Sequence, residues 1–400
     1  MPRVKRRKMG RAGEDVSILG YGCMRFPRKR GGIDMAKTEA QILSGIERGI
    51  NYFDTAYIYP GSEKALGSIL AGGWRDKVNI ATKLPVPSIK RREDMDAIFD
   101  IQAERLRTGH IDYYLIHNIT SFAEWEGLKA LGATEFIEGL LKSGRIRHIG
   151  FSSHGNLMDF KRIVDDYPWE FCQIQFNYID ENFQAGRAGL EYASQRGLGV
   201  IAMEPLRGGM LTGRMPAAAR RLIDGFAVRR TPAEWALRWV WGHEGISLLL
   251  SGMNAMEQVA ENTRIASEAE AHSLTAEELE LISRLRDAFR EATKVGCTGC
   301  AYCMPCPQGV NIPQCFAQYN NRAMFGGIQP YIEYAMYLDG FGGRPPSRAS
   351  ACVKCGACEA KCPQKLPIME CLEETAAAME KKYLSGLVRL GRKIVYHGLG

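Results

Sequence analysis

From Ser17 to Met253 short β-rich runs alternate with helical patterns, and this alternation limits the possible folds more than any other feature of the chain. Eight runs stand out: ILGYGCM (18–24), NYFDTA (51–56), VNIATKL (78–84), IDYYLIH (111–117), IRHIGFSS (146–153), FCQIQFN (171–177), GVIAMEPL (199–206) and ISLLLSG (246–252). The stretches between them each have room for one crossover helix, since a whole βαβ unit takes about 30 residues. TEAQILSGIERGI puts Ile42, Ile46 and Ile50 on one helical face. TPAEWALRWVWG opens with Thr231 as N-cap and Pro232 at the first helical position. Eight parallel strands with eight helices in about 250 residues predict a (β/α)8 TIM barrel. A doubly wound sheet is the competing arrangement, but its glycine-rich G-x-G-x-x-G loop does not follow the first run.

The chain beyond the barrel is governed by cysteine. One run is Cys297, Cys300, Cys303 and Cys306-Pro307; the other is Cys352, Cys355, Cys358 and Cys362-Pro363. Thiolates two residues apart, closed by Cys-Pro, are the pattern that holds a cubane iron–sulfur cluster. The second run reproduces C-x2-C-x2-C-x3-C-P without change, whereas the first has C-x2-C at its last step. Zinc is the main rival, but zinc ribbons use two separated pairs of thiols. Disulfides are the other rival and belong to secreted chains; the basic start MPRVKRRKMG is followed by no apolar segment of the signal-peptide kind. Two [4Fe-4S] clusters are therefore expected. The two regions also read as an internal repeat, CPQGVNIPQC against CPQKLPIMEC, in which Cys315 and Cys371 occupy equivalent places. Those two thiols, with Cys23 and Cys172 in the barrel, are expected to be structural.

Composition excludes several classes. With 46% hydrophobic and 24% charged residues the chain suits a globular protein, and its net charge of +7 is modest for 400 residues. The basic cluster Arg3, Lys5, Arg6, Arg7, Lys8 reads as a solvated arm, so no nucleic-acid partner is expected. No stretch approaches the roughly 18 apolar residues of a membrane span. Twelve cysteines point to a reducing cytoplasm.

In a TIM barrel, polar residues at strand C-termini face the active-site mouth. Those ends supply Asp54, Lys83 and His117, with Tyr59 in the loop five residues beyond Asp54. Each has a plainer reading: a helix cap, a surface ion pair or a core histidine, with Tyr57 as a competing tyrosine. FDTAYIYPGSEKALG, ATK, YYLIHN, HIGFSS, QIQFN and EPLRGGMLTG together resemble the aldo-keto reductases from about residue 3 to residue 270. The spacing of the two cysteine runs resembles the helical two-cluster modules of multi-subunit reductases and a subgroup of aldo-keto reductases with a C-terminal 4Fe-4S ferredoxin-type module. The resemblance implies a catalytic tetrad of Asp54, Tyr59, Lys83 and His117. In it Tyr59 would protonate a carbonyl oxygen, and Lys83 would lower the phenol's pKa while being held by Asp54. His117 would orient the carbonyl.

The resemblance also implies a nicotinamide cofactor, NADPH or NADH, beside Ser152, Gln173 and Met203, with its adenosine near Gln258, Glu261 and Asn262. Two departures stand out: Ser153 where relatives have Asn, and Met203 where relatives often stack a tyrosine on the nicotinamide. Lysine or arginine for a 2′-phosphate is missing from the matching places; Arg264 is the nearest substitute, with a helix-surface role the plainer alternative.

LTAEELELISRLRDAFREA reads as a helix with a Thr275–Glu278 capping box and an apolar stripe of Leu279, Ile282, Leu285 and Phe289 leading into the first cysteine run. The expected layout is a barrel over 1–290, a small, mostly helical 4Fe-4S domain over 291–375 and an amphipathic helical tail over 376–400. The resulting expectation is an oxidoreductase that interconverts a small carbonyl and alcohol, with clusters coupled to a ferredoxin- or flavin-type redox partner. The alternatives are a reductase with purely structural clusters, and an electron-transfer or partner-binding protein with a non-catalytic barrel.

Overall fold

The computed structural model describes residues 3–29, 32–340 and 345–380. The tail expected over 376–400 lies outside them from residue 381 onward, after a helix that ends at Met379. Two compact units are formed, Met1–Leu211 with Arg230–Leu279, and Thr212–Arg229 with Glu280–Gly400.

In the first unit all eight β-rich runs become strands: β1 (Leu19–Gly22), β2 (Tyr52–Asp54), β3 (Asn79–Pro85), β4 (Ile111–Ile119), β5 (Ile146–Ser153), β6 (Phe171–Gln175), β7 (Gly199–Met203) and β8 (Ile246–Ser251). They pair in parallel, each with its sequence neighbours, and β8 closes on β1 to complete the barrel. The strands read as near-continuous apolar runs because both faces are covered, as in the all-buried β6 and β8. Helices α1 (Met35–Glu47), α2 (Ser62–Leu70) and α3 (Arg92–Leu106) follow the first three strands. Helix α1 stops earlier than the Ile42, Ile46, Ile50 pattern suggests: Gly49 turns the chain at φ 102°, and Ile50 is buried beyond the helix. Thr231 caps the helix Pro232–Trp241 as expected, accepting from the Glu234 amide at 3.0 Å.

An N-terminal hairpin, Arg6–Lys8 paired with Asp15–Ser17, sits at the barrel's base. Its connecting segment places Met9, fully buried, in one cluster with Tyr52, Tyr113, Phe171 and Leu248. A Cβ on Gly10 would lie 2.0 Å from the Gly199 amide, so only glycine permits this approach. With side chains filling the base, polar groups collect at the opposite, C-terminal end.

The helix Ala276–Glu291 spans the division between the units. Its capping box forms as expected, with Thr275 and Glu278 exchanging hydrogen bonds of 2.9 and 3.2 Å. Ile282, Leu285 and Phe289 are buried, but Leu279 is 49% exposed and leaves the stripe.

The second unit has its own apolar core. Val310, Ile312 and Phe316 meet Leu338, Ile368 and Leu372 from the helices Ile312–Phe325, Gln329–Leu338 and Ile368–Met379. Asn320 ties the entering chain to this core: its side chain accepts from the Lys294 and Val295 amides and donates to the Val295 carbonyl.

Candidate active site and metal centres

Strand register brings the predicted tetrad together. Asp54 pairs with Ala81 across β2–β3, and Pro85 with His117 across β3–β4, so Asp54, Lys83 and His117 stand on three adjacent strands. Lys83 is completely buried and donates to both Asp54 oxygens and to the Thr55 carbonyl, each at 2.7 Å. All three ammonium protons are thus engaged. The Lys83 nitrogen lies 5.7 Å from the Tyr59 ring centre, and the His117 ring meets Tyr59 edge-on at 6.2 Å. Tyr57 is drawn elsewhere: the Arg105 guanidinium stacks 4.7 Å over its ring.

The electrostatics depart from expectation. Burial pushes the Tyr59 phenol well above its ordinary pKa, and Asp54, Glu204 and Cys23 add to the rise. The Asp54 carboxylate, which Lys83 contacts through both oxygens, is itself among the groups that raise it. Burial likewise raises Asp54, against the pull of Lys83. Tyr59 is consequently held as the neutral phenol, the form that can give a proton.

A supporting network around Lys83 has little sequence signal. Nε2 of Gln102 on α3 lies 3.0 Å from the Lys83 carbonyl, Thr82 Oγ1 and Glu63 Oε1, its two N–H groups shared among the three acceptors. Glu63 of α2, 2% exposed, also accepts from Thr82 at 2.7 Å and pairs with Arg105 at 3.2 Å. Arg105 in turn donates to the Tyr57 carbonyl, so one buried cluster braces both the Lys83 strand and the Tyr59 loop. Glu63 lies in the matched GSEKALG segment, but nothing in the sequence marks Gln102 as its partner.

The remaining strand ends carry the expected nicotinamide residues. Gln173 pairs in register with Ser152 and with Ile201. It donates to the Met203 sulfur at 3.4 Å, while its own buried Oε1 has no partner. Asn118, at φ 60°, turns its amide to Ser152 Oγ at 2.8 Å, a left-handed geometry that asparagine tolerates well. Ser153 donates to the Ile119 carbonyl. Sequence reasoning missed Glu204 at this rim, at φ 55° and 4.0 Å from His154. Burial raises its carboxyl; Arg207 opposes the rise, Asp180 adds to it and Arg25 opposes it.

The three adenosine candidates lie on or near the helix Met256–Glu268 and are engaged within the protein. Gln258 accepts from the Asn254 amide, Glu261 from Thr231, and Asn262 donates to Ser251 at the end of β8. Arg264 is held by Glu234 and Glu268, which is the helix-surface role.

In the second unit the repeat extends to the backbone. Gly299 and Lys354, each two residues past the first cysteine of its run, both have positive φ; so do Ala301 and Gly356, and Gly309 and Lys365. The amides of Gly299 and Lys354 donate to the sulfurs of Cys297 and Cys352, each at 3.4 Å. Gly309 and Lys365 donate back to the carbonyls of Cys306 and Cys362. Cys297, Cys300 and Cys303 line one cavity with Cys362 of the other run, walled by Ile312, Phe316, Leu366 and Ile368. Thiols from both runs facing one apolar space fit a cluster held across the repeat. Burial pushes the thiols of Cys297 and Cys303 up to about 11 and about 12. Among the described residues no group of three or more His, Cys, Asp or Glu is placed to hold a single metal ion. Cys23, Cys172 and Cys315 are buried as expected, whereas Cys371 is only partly so.

The Aldo/keto reductase family profile matches residues 18–224, and the 4Fe-4S dicluster domain profile matches residues 296–366. The chain belongs to the aldo/keto reductase family. It is 30% identical to the uncharacterized oxidoreductase YrpG of Bacillus subtilis, over 52% of this chain and 68% of that protein. It is 25% identical to the L-galactose dehydrogenase of Arabidopsis thaliana, over 73% of this chain and 98% of that protein. The holo form of the aldo-keto reductase AKR11C1 from Bacillus halodurans superposes with a TM-score of 0.60 at 25% identity, covering 71% of this chain and 96% of that one. This aldo/keto reductase is thus an oxidoreductase with a 4Fe-4S domain appended to its barrel. Among the described residues no helix is long and apolar enough to cross a membrane.

Proposed function

We propose that the barrel interconverts a small carbonyl compound and its alcohol with NADH or NADPH, and that two [4Fe-4S] clusters in the appended domain link it to a one-electron redox partner. The observation that carries the first half is the buried Lys83–Asp54 pair with Tyr59 and His117 beside it at the strand ends. The nicotinamide supplies or accepts a hydride at the carbonyl carbon. Tyr59, kept protonated by its surroundings, donates the proton that the carbonyl oxygen needs and recovers it in the oxidative direction. Lys83 and Asp54 form a nearly neutral buried pair that fixes the site without ionising the phenol. His117 orients the carbonyl. Gln173, with its buried Oε1 open, and Ser152 are the residues to hold the carboxamide, with Met203 packed against the ring. Gln258, Glu261 and Asn262 shape the adenosine end. Arg264 is committed to Glu234 and Glu268.

The cluster ligands are Cys297, Cys300, Cys303 and Cys362 for one centre, and Cys352, Cys355, Cys358 and Cys306 for the other. The cavity shared by Cys362 and the first run supports this exchange. The clusters supply single-electron steps, whereas hydride moves two electrons together, so coupling between them is a question for titration. Anaerobic addition of NADH or NADPH that bleaches the clusters supports wiring; carbonyl turnover with unbleached clusters assigns them a structural part. Tyr59→Phe should lower carbonyl reduction by about 10²–10⁴-fold with nucleotide binding retained. Undiminished turnover would remove Tyr59 from the mechanism.

A further inference from the structure

We infer that the Glu204 carboxylate holds the oxidised, cationic form of the nicotinamide in preference to the neutral reduced form, and so makes the bound reduced form a stronger hydride donor. This rests on the reading of Ser152, Gln173 and Met203 as the nicotinamide residues. Strands β5 and β7 flank β6, so their ends stand two strand spacings apart, about 9.5 Å. His154 follows the end of β5, and Glu204 follows the end of β7. Their side chains nevertheless come within 4.0 Å of each other. They therefore lean together over the end of β6, the strand that carries Gln173 and its unpartnered Oε1. The backbone is set for that reach. Glu204 has φ 55°, a left-handed conformation uncommon outside glycine, and the buried Asn177 side chain donates to its carbonyl at 3.3 Å. The Glu204 side chain is still 40% exposed, so its oxygens line an open mouth rather than a closed core.

Charge decides what such a group can do there. Hydride transfer carries two electrons and one proton from the reduced ring to the carbonyl carbon, while Tyr59 gives its proton to the oxygen. That leaves one more positive charge on the ring. The carbonyl has to meet both the ring and Tyr59, so a charge that acts on Tyr59 acts on the ring as well. Besides burial, the Tyr59 phenol feels Asp54, Glu204 and Cys23, and each of them raises it. Asp54 is paired with Lys83 at 2.7 Å. Of the two arginines that act on Glu204, Arg207 is held by Asp180 at 2.7 Å and Arg25 is exposed to solvent. A carboxylate so placed stabilises a cationic ring and does little for a neutral one.

The test titrates the full chain, prepared anaerobically with its metal, with the oxidised and reduced forms of NAD and of NADP by isothermal calorimetry. ADP-ribose, which lacks the nicotinamide, is the control probe. Glu204→Gln should weaken the oxidised form about tenfold. It should change the reduced form and ADP-ribose by less than about twofold. Glu204→Asp, which keeps the charge, should stay closer to the wild type than Glu204→Gln does. A ratio of oxidised to reduced affinity that is the same in the wild type and in Glu204→Gln overturns the role of Glu204 alone. So does an equal loss for ADP-ribose, which gives Glu204 a structural part in the site. Failure of the wild type to bind any of these dinucleotides overturns the nicotinamide reading and this inference together.

Discussion

The barrel and the cysteine domain place their functional groups by different means. Asp54, Lys83 and His117 come from three strands and meet only because parallel register aligns those strands. The cysteines of each run stand two or three residues apart, and positive-φ turns at matching places set their spacing. A barrel site depends on packing across the whole unit, so a distant change can move it. A cysteine run depends on a few local turns and on the metal that ties them. The exception is Cys362, which crosses to the first run's cavity and makes even the local centre depend on tertiary contact.

The strongest attack on this contrast is at that exception. Cys362→Ser should disturb the same EPR signal as Cys297→Ser and remove about half of the iron, while Cys306→Ser should affect the other signal. If Cys362→Ser instead perturbs the same signal as Cys352→Ser, each run closes on itself and the contrast sharpens. Next comes the buried ion pair. Lys83→Met leaves Asp54 buried without its partner and should cost about 3–5 kcal/mol in urea unfolding of the barrel. Adding Asp54→Leu should recover part of that loss, and iron content should not change. Gln102→Leu tests the brace behind Lys83. It strips Glu63, Thr82 and the Lys83 carbonyl of one donor and should cost about 1–3 kcal/mol in the same assay.

The smallest effect is at the barrel's base. His148 lies 2.6 Å from Glu170 and 3.4 Å from Glu14, which stands next to the hairpin strand Asp15–Ser17. Burial opposes its charge, but the two carboxylates prevail and hold its pKa above the ordinary value. The folded state therefore binds this proton more tightly than the unfolded chain. The stabilisation is fully present below the unfolded value of about 6.5 and is lost as pH rises through the higher folded value. His148→Gln should flatten that part of the unfolding-midpoint profile. An unaltered slope would assign it to other groups.

Much of the barrel was legible because apolar runs and capping signals are local. Thr231 before Pro232, and Thr275 with Glu278, act over a single turn, and both formed as read. Ile50 and Leu279 did not follow their patterns, because helix ends and burial at a helix's first turn depend on what packs nearby. The resemblance favoured Tyr59 over Tyr57, two residues away, and the structure sets Tyr59 near Lys83 and Tyr57 under Arg105. Arg105 and Glu63 hold the segment so that Tyr59 faces Lys83.

By itself, the sequence determined the eight-unit barrel pattern, the two Cys-Pro runs and their repeat, since each is written in spacing along the chain. Tertiary structure alone decided that Lys83 is buried against Asp54 and that burial raises the Tyr59 phenol. It also decided that Gln102 braces the site from another helix, and that Cys362 faces the cavity of the other run. Those outcomes depend on distance, burial and the partners that residues far apart in sequence find once the strands are in register.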